Sequence, residues 1–205
     1  MTITAALFDF GGVILSSPFE AFAHYEQQHG LPAGFIRSVN AYDHHTNAWA
    51  RLERNEITMD EFATAFEEES VALGHRVPGW DVLNLLAGEL RPEMVEVVRR
   101  CGEHLKTGLL TNNVVSMGPD SPVAHVVEMF DVVIESSVVG VRKPEPEFYG
   151  IACERLGIEP SEAVFLDDLG INLKPAREMG MTTIKVEDPA VAIDELEKVV
   201  GFPLR

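Results

Sequence analysis

The stretch from Ile3 to Leu15, ITAALFDFGGVIL, constrains the fold of this chain more than any other stretch. A short apolar run leads to one carboxylate, Asp9, and the glycines Gly11 and Gly12 then let the backbone turn sharply. A run that ends at an acid and a glycine pair is typical of a buried parallel strand that presents a reactive group at its carboxyl end. We therefore predict that the rest of the chain is arranged around Asp9.

The rhythm of the predicted elements changes at Arg91. The preceding residues read as successive helices, with capping boxes at Ser17 to Glu20 and Thr58 to Glu61 and a helix stop at Gly30. Beyond Arg91, helices alternate with short apolar strands, which indicates a parallel sheet covered on both faces. The strands predicted there are 108–111, 132–136, 163–167 and 182–186.

These patterns predict an α/β fold with two domains. Residues 1–15 and 91–205 are expected to form a doubly wound, Rossmann-like parallel core. Residues 16–90 are expected to form a helical domain inserted after the first strand.

The charge of the chain narrows its possible partners. Sixteen basic and 33 acidic residues give a net charge of −17, which opposes binding to nucleic acids and to anionic membrane surfaces. No stretch approaches the roughly 18 apolar residues that span a bilayer. Cys101 and Cys153 lack the spacing of a metal or redox site. We expect a cytoplasmic protein; its oligomeric state stays open.

Four predicted strand ends carry polar side chains, at the edge where an open α/β sheet binds its ligands. They are Asp9, Thr111 to Asn113, Lys143, and the pair Asp167-Asp168. Adjacent carboxylates are costly without a cation, and Mg²⁺ prefers oxygen ligands. A hydroxyl with backbone amides can bind phosphate, a lysine can neutralise developing charge, and a carboxylate can attack phosphorus. Together the four ends predict a phosphoryl-transfer site.

This set of residues, in this order, resembles the motifs of the haloacid dehalogenase-like (HAD) superfamily. The segments IESSVVGVRKPEPEFY and VFLDDLGINLKPAREMGMTTIKV are similar to the N-terminal phosphatase domain of soluble epoxide hydrolase. The segment ERNEIT in the insert resembles small bacterial sugar-phosphate phosphatases of the same superfamily. The resemblance implies that the helical insert is the family's cap domain, which closes over the site.

The resemblance also implies a role for each acidic residue. Asp9 would be the nucleophile and a Mg²⁺ ligand, and the backbone carbonyl of Gly11 would be a second ligand. Asp168 would bind the metal directly, and Asp167 would act through water or by orienting its neighbours. Asn172 would support this acidic loop from behind the ligands.

The same resemblance implies the phosphate site and the reaction. Thr111 and the backbone amide of Asn112 would bind the phosphoryl group, and Lys143 would bridge nucleophile and phosphate. The chain would then be an enzyme that hydrolyses a small phosphorylated metabolite, a phosphomonoester, through an aspartyl-phosphate intermediate with Mg²⁺ as cofactor.

One position departs from the family pattern. HAD phosphatases usually carry a second Asp two residues after the nucleophile, and this chain has Gly11 there. That Asp supplies general acid–base catalysis, typically worth about 10² to 10⁴ in rate. The reading that we prefer is a slow phosphatase, or one that borrows its acid and base elsewhere, with His44 and His45 as candidates.

Three alternatives follow from the same departure. Phosphonoacetaldehyde hydrolases need a cap lysine, and residues 1–105 contain no lysine, which excludes them. Haloacid dehalogenases lack the second Asp but work without metal, whereas Asp167 and Asp168 favour Mg²⁺. A catalytically weak protein that binds a phosphorylated ligand or a partner protein stays open.

Overall fold

The computed structural model describes residues 2–114 and 117–205, which divide into two compact units. The first unit runs to Ser16 and resumes at Glu89. The second unit is the intervening stretch Ser17–Gly88.

A five-stranded parallel sheet forms the centre of the described part of the first unit, in the order β3-β2-β1-β4-β5. Its strands are β1 (Ala5–Phe8), β2 (Lys106–Thr111), β3 (Val132–Glu135), β4 (Ala163–Asp167) and β5 (Thr182–Lys185). All four strands predicted after the first are confirmed, with ends that differ by two residues at most. The prediction of an α/β fold with a parallel sheet is confirmed.

The helices of the described residues fall into both units. In the second unit they are α1 (Phe19–His29), α2 (Phe35–Ala41), α3 (Ala48–Glu53), α4 (Met59–Ala72) and α5 (Gly79–Asn84). In the first unit they are α6 (Pro92–Gly102), α7 (Ala124–Val127), α8 (Ser136–Val139), α9 (Pro146–Leu156), α10 (Gly170–Glu178) and α11 (Pro189–Val200). Within these described stretches, no helix combines the length and the apolar character that crossing a membrane requires.

The two faces of the sheet bury separate apolar clusters, because side chains alternate along β1. Ala5 and Leu7 pack in a cluster with residues of α9 and α10. Ala6 and Phe8 pack in a second cluster with residues of α6 and α11. Helices therefore cover both faces, and β1 is buried along its whole length.

One predicted helix start is correct and another is wrong. Thr58 and Glu61 form the predicted capping box at the start of α4. The helix predicted to be capped by Ser17 begins at Phe19 instead, with Pro18 as N-cap. Counted from Pro18, Glu20 is the second helical residue, whereas a capping box needs a glutamate at the third, and no side chain caps this helix start.

Helix α2 was not predicted, because the group that caps it comes from another helix. Gly34 precedes α2 and has no side chain that could cap it. The buried carboxylate of Glu26, in α1, accepts hydrogen bonds from the backbone N–H groups of Gly34 (2.7 Å) and Ile36 (2.8 Å). A carboxylate at a helix N-terminus satisfies unpaired donors and opposes the helix dipole.

Gly79 is predicted to be irreplaceable at the start of α5. A Cβ atom there would lie 2.4 Å from the Cα of Ala63 in α4. We expect Gly79→Ala to lower the free energy of unfolding by about 1–3 kcal/mol through overpacking. Gly150→Ala in α9 is the matched control, because no described heavy atom lies within 4 Å of its added Cβ.

The control is expected to raise the free energy of unfolding by about 0.5–1 kcal/mol, because alanine loses less backbone entropy in a helix than glycine does. Urea denaturation of the two variants and the wild type measures both changes. Equal stability of Gly79→Ala and the wild type would contradict the proposed close packing of α4 and α5.

Candidate active site

The sheet places Asp9 beside the acidic pair on the neighbouring strand. In the register of β1 and β4, Phe8 is opposite Leu166, so Asp9 follows at the level of Asp167. The backbone N–H of Asp9 donates to the carbonyl oxygen of Leu166 at 2.9 Å. Strands β2 and β3 are added on one side of β1, and β4 and β5 on the other, so the strand order switches between β1 and β4. Open α/β sheets bind ligands at such a switch point.

Lys143 lies between two of these carboxylates. Its side chain is 1% exposed, and Nζ lies 2.7 Å from Asp9 Oδ1 and 2.8 Å from Asp167 Oδ2. Burial alone would lower the pKa of Lys143, but the charges of Asp167 and Asp9 outweigh it and hold the pKa above its usual value. Lys143 is therefore a charged ammonium group inside the protein.

Asp167 is fully buried and engaged by the protein through both oxygens. Oδ1 accepts from the backbone N–H of Leu169 at 2.8 Å and from Nδ2 of Asn172 at 3.0 Å. Oδ2 accepts a hydrogen bond from Lys143 Nζ at 2.8 Å and a second one from Asn172 Nδ2 at 3.1 Å. The hydroxyl of Tyr149 in turn donates to the Asn172 carbonyl oxygen at 2.6 Å. These contacts fix Asp167 in one orientation.

Asp168 lies against the turn that follows Asp9. Gly12 in this turn has φ +79°, and a Cβ atom there would lie 2.3 Å from Asp168 Oδ2. Both the positive φ and this close approach require glycine. Burial and the charge of Asp167 raise the pKa of Asp168 to about 6, although Lys143 and Arg91 oppose the shift.

The three carboxylates fit a divalent cation. Asp9, Asp167 and Asp168 each offer one carboxylate oxygen, and these three oxygens lie within 4.8 Å of one another. Three carboxylates and the Lys143 ammonium leave two negative charges uncompensated when all are ionised. Burial raises the pKa of Asp9 well above its usual range. The charge of Lys143 lowers this pKa, but the charges of Asp167 and Asp168 raise it further, so the net shift is upward. A hard cation such as Mg²⁺ would relieve this crowding.

Asn112 holds the backbone of Lys143, a contact that sequence reasoning did not find. Its Nδ2 donates to the Lys143 carbonyl oxygen at 3.0 Å, and its Oδ1 accepts from the Lys143 N–H at 2.9 Å. The two residues are 31 positions apart, so no local pattern reveals the pair. Thr111, the last residue of β2, is buried directly before it.

Gly11 offers open space where the family carries its second Asp. Its backbone angles (φ −71°, ψ 129°) suit any residue, and no described heavy atom lies within 4 Å of an added Cβ. His44 and His45, the predicted substitutes for that acid, lie in the turn between α2 and α3 of the other unit. Their rings are 4.0 Å apart.

A protein-family model described as haloacid dehalogenase-like hydrolase matches residues 3–180 of the chain. The chain belongs to this family. The predicted resemblance to the HAD superfamily is therefore confirmed, and so is the prediction that the protein is an enzyme.

Several curated relatives align along nearly the whole chain. Bifunctional epoxide hydrolase 2 of Mus musculus is 34% identical over 99% of the chain and 40% of its own length. Sesquiterpene phosphatase astK of Aspergillus oryzae is 26% identical over 98% of each protein. The chain spans between 19% and 40% of the length of the curated relatives that are 32% to 36% identical to it.

A solved structure supports the fold. A HAD family enzyme of Bacteroides thetaiotaomicron, in complex with magnesium and inorganic phosphate, superposes with a TM-score of 0.61. The alignment covers 91% of this chain and 96% of the other, at 23% identity.

Asn112→Ala is predicted to destabilise the protein by about 1–3 kcal/mol, because two backbone groups of the buried Lys143 lose their partner. Asn84→Ala, at an exposed position that ends α5, is the matched control and is expected to change stability by less than about 0.5 kcal/mol. Urea denaturation provides the comparison. Asn112→Ala as stable as the control would show that the two hydrogen bonds contribute nothing.

Proposed function

We propose that this HAD hydrolase is a Mg²⁺-dependent phosphatase that hydrolyses a small phosphomonoester through an aspartyl-phosphate on Asp9. The observation that carries the proposal is the buried Lys143 ammonium, which contacts Asp9 and Asp167 beside the third carboxylate, Asp168. An ionised nucleophile, a fixed cation and a cluster of oxygen ligands are the groups that phosphoryl transfer requires.

Asp9 would attack phosphorus through Oδ2. Its Oδ1 is engaged by Lys143 at 2.7 Å and by the backbone N–H of Phe10 at 2.6 Å, so these contacts orient the carboxylate. The P–O bond to the leaving alcohol breaks as a bond forms between Asp9 Oδ2 and phosphorus, and the alcohol oxygen takes up a proton from solvent. Water then attacks phosphorus and returns a proton to solvent, and inorganic phosphate leaves as the Asp9 carboxylate is regenerated.

The phosphoryl oxygens would be bound at the ends of β2 and the Lys143 loop. The Thr111 hydroxyl, the Asn112 backbone N–H and the Lys143 ammonium are the donors that we assign to them. The Asn112 side chain has a separate task in this scheme, since its two hydrogen bonds to Lys143 keep these donors in one arrangement.

Asp9, Asp168 and the carbonyl oxygen of Gly11 would hold the Mg²⁺ ion, which supplies Lewis-acid stabilisation of the phosphoryl oxygens when bound. Asp167, whose oxygens are engaged by Lys143, Leu169 and Asn172, would orient its neighbours instead. A HAD family enzyme of Bacteroides thetaiotaomicron with a similar fold was solved in complex with magnesium and inorganic phosphate, which supports Mg²⁺ as the proposed cofactor.

Asp9→Asn is predicted to abolish phosphate release, because an amide cannot form the acyl phosphate. The assay measures inorganic phosphate from sugar phosphates, nucleotides and p-nitrophenyl phosphate, with Mg²⁺ and with EDTA. We expect release by the wild type to require Mg²⁺. Asp194→Asn, which removes an exposed carboxylate paired with Arg205, is the matched control and should retain full activity.

Release of inorganic phosphate that persists in Asp9→Asn would refute the role of Asp9 as nucleophile. Release by neither protein, combined with binding of inorganic phosphate by the wild type, would instead support the reading of a catalytically weak binding protein.

Gly11→Asp is predicted to accelerate turnover by about 10² or more, because it supplies the missing general acid and base. The backbone at Gly11 accepts any residue, and the space around its Cβ is open. If breakdown of the aspartyl-phosphate limits the wild type, rapid mixing shows a burst of released alcohol that shrinks in Gly11→Asp. Gly11→Asn is the matched control, and equal rates for the two variants would contradict the role of the carboxylate.

A further inference from the structure

Arg91 contacts the turn that follows Asp9, although no sequence motif singles it out. Its guanidinium Nη1 donates a 2.9 Å hydrogen bond to the carbonyl oxygen of Gly12. The two residues are 79 positions apart, so the contact exists only in the folded first unit. The Gly12 carbonyl oxygen is uncharged, so this contact is a hydrogen bond and not an ion pair. Its effect is to fix the position of the Gly12 backbone.

The backbone of Arg91 is itself fixed. Its N–H donates to the carbonyl oxygen of Ile14 at 2.9 Å, and the adjacent residues Leu15 and Leu90 form an antiparallel bridge. The N–H of Ser16 donates to the Glu89 carbonyl oxygen at 2.8 Å. Residues 14–16 and 89–91 thus form a short ladder, from which the Arg91 side chain extends back to Gly12.

Gly12 is the residue at which a rotation of the backbone would matter most. It has a positive φ, and its Cα lies against the carboxylate of Asp168. Its N-terminal neighbour is Gly11, whose carbonyl oxygen is a ligand in the proposed function. A rotated Gly12 would therefore move Asp168 and redirect the Gly11 carbonyl together.

We propose that Arg91 is a positioning residue, which holds the turn Phe10–Ile14 so that Asp9, the Gly11 carbonyl and Asp168 face one cation. The cation is the Mg²⁺ of the proposed function, on which this part of the inference rests. The positive charge of the guanidinium by itself repels a cation at this cluster, so the positioning effect of the hydrogen bond outweighs that repulsion in this inference.

Two variants separate these contributions. Arg91→Met removes the donor and the charge at similar volume, whereas Arg91→Lys keeps the charge and one donor. Each metal-free protein is titrated with MgCl₂ alone in a calorimeter. We expect Arg91→Met to weaken Mg²⁺ binding about tenfold or more, because the loss of the hydrogen bond to the turn outweighs the removal of a repelling charge. Arg91→Lys, which keeps one donor, should recover part of the loss.

The matched control is Arg99→Met in α6, whose guanidinium pairs with Glu96 and Glu103 at the surface. It should bind Mg²⁺ as the wild type does. Equal affinity of the wild type and Arg91→Met would overturn the inference. A wild type that binds no Mg²⁺ would overturn the metal site of the proposed function instead.

Amide hydrogen exchange of the metal-free proteins tests separately whether Arg91 stabilises the turn Phe10–Ile14. The Leu15 N–H donates to the Phe10 carbonyl oxygen at 2.8 Å, so its exchange reports opening of this turn. We expect faster exchange in Arg91→Met than in the wild type and in Arg99→Met. Unchanged exchange would overturn the inference whatever the Mg²⁺ affinity.

Discussion

The contact of the Lys143 ammonium with two buried carboxylates is the interaction on which the rest of the site depends. An ammonium group that is 1% exposed is tolerated only when it is paired, and Asp9 and Asp167 supply the pairing at 2.7 Å and 2.8 Å. The carboxylates need the lysine for the same reason. Neither side of the pair is stable alone, so three separate chain segments must meet at the carboxyl end of the sheet.

Further layers of hydrogen bonds hold this ion cluster. Asn172 fixes Asp167, and the Tyr149 hydroxyl donates to the backbone of Asn172. Asn112 fixes the backbone of Lys143 from the end of β2. Each layer removes freedom from a group that must act in a defined direction, which is how an active site becomes preorganised for charge that develops during reaction.

In the proposed function, Gly11 affects the rate of the reaction and leaves the groups that bind the phosphoryl group and the metal unchanged. In the proposed function, the charged groups that the family uses are present, and the departure at Gly11 concerns proton transfer. No described heavy atom lies within 4 Å of an added Cβ at Gly11, apart from its chain neighbours, so a larger side chain could begin there without a clash. In the proposed function, binding and nucleophilic attack are thus separate from the breakdown of the aspartyl-phosphate.

Local patterns along the chain determined the strands of the sheet and the strand ends that carry Asp9, Thr111 and the acidic pair, because alternation and glycine turns act over a few residues. Lys143, predicted at the end of β3, lies instead in the loop that follows helix α8. The tertiary structure alone decided the contacts between distant residues. Examples are the two hydrogen bonds between the Asn112 side chain and the Lys143 backbone, and the hydrogen bond from Arg91 to the Gly12 carbonyl oxygen. Helix α2 was missed for the same reason, since Glu26 caps it from α1. A hydrogen bond between distant segments leaves no periodic trace in either of them, so only the folded chain reveals it.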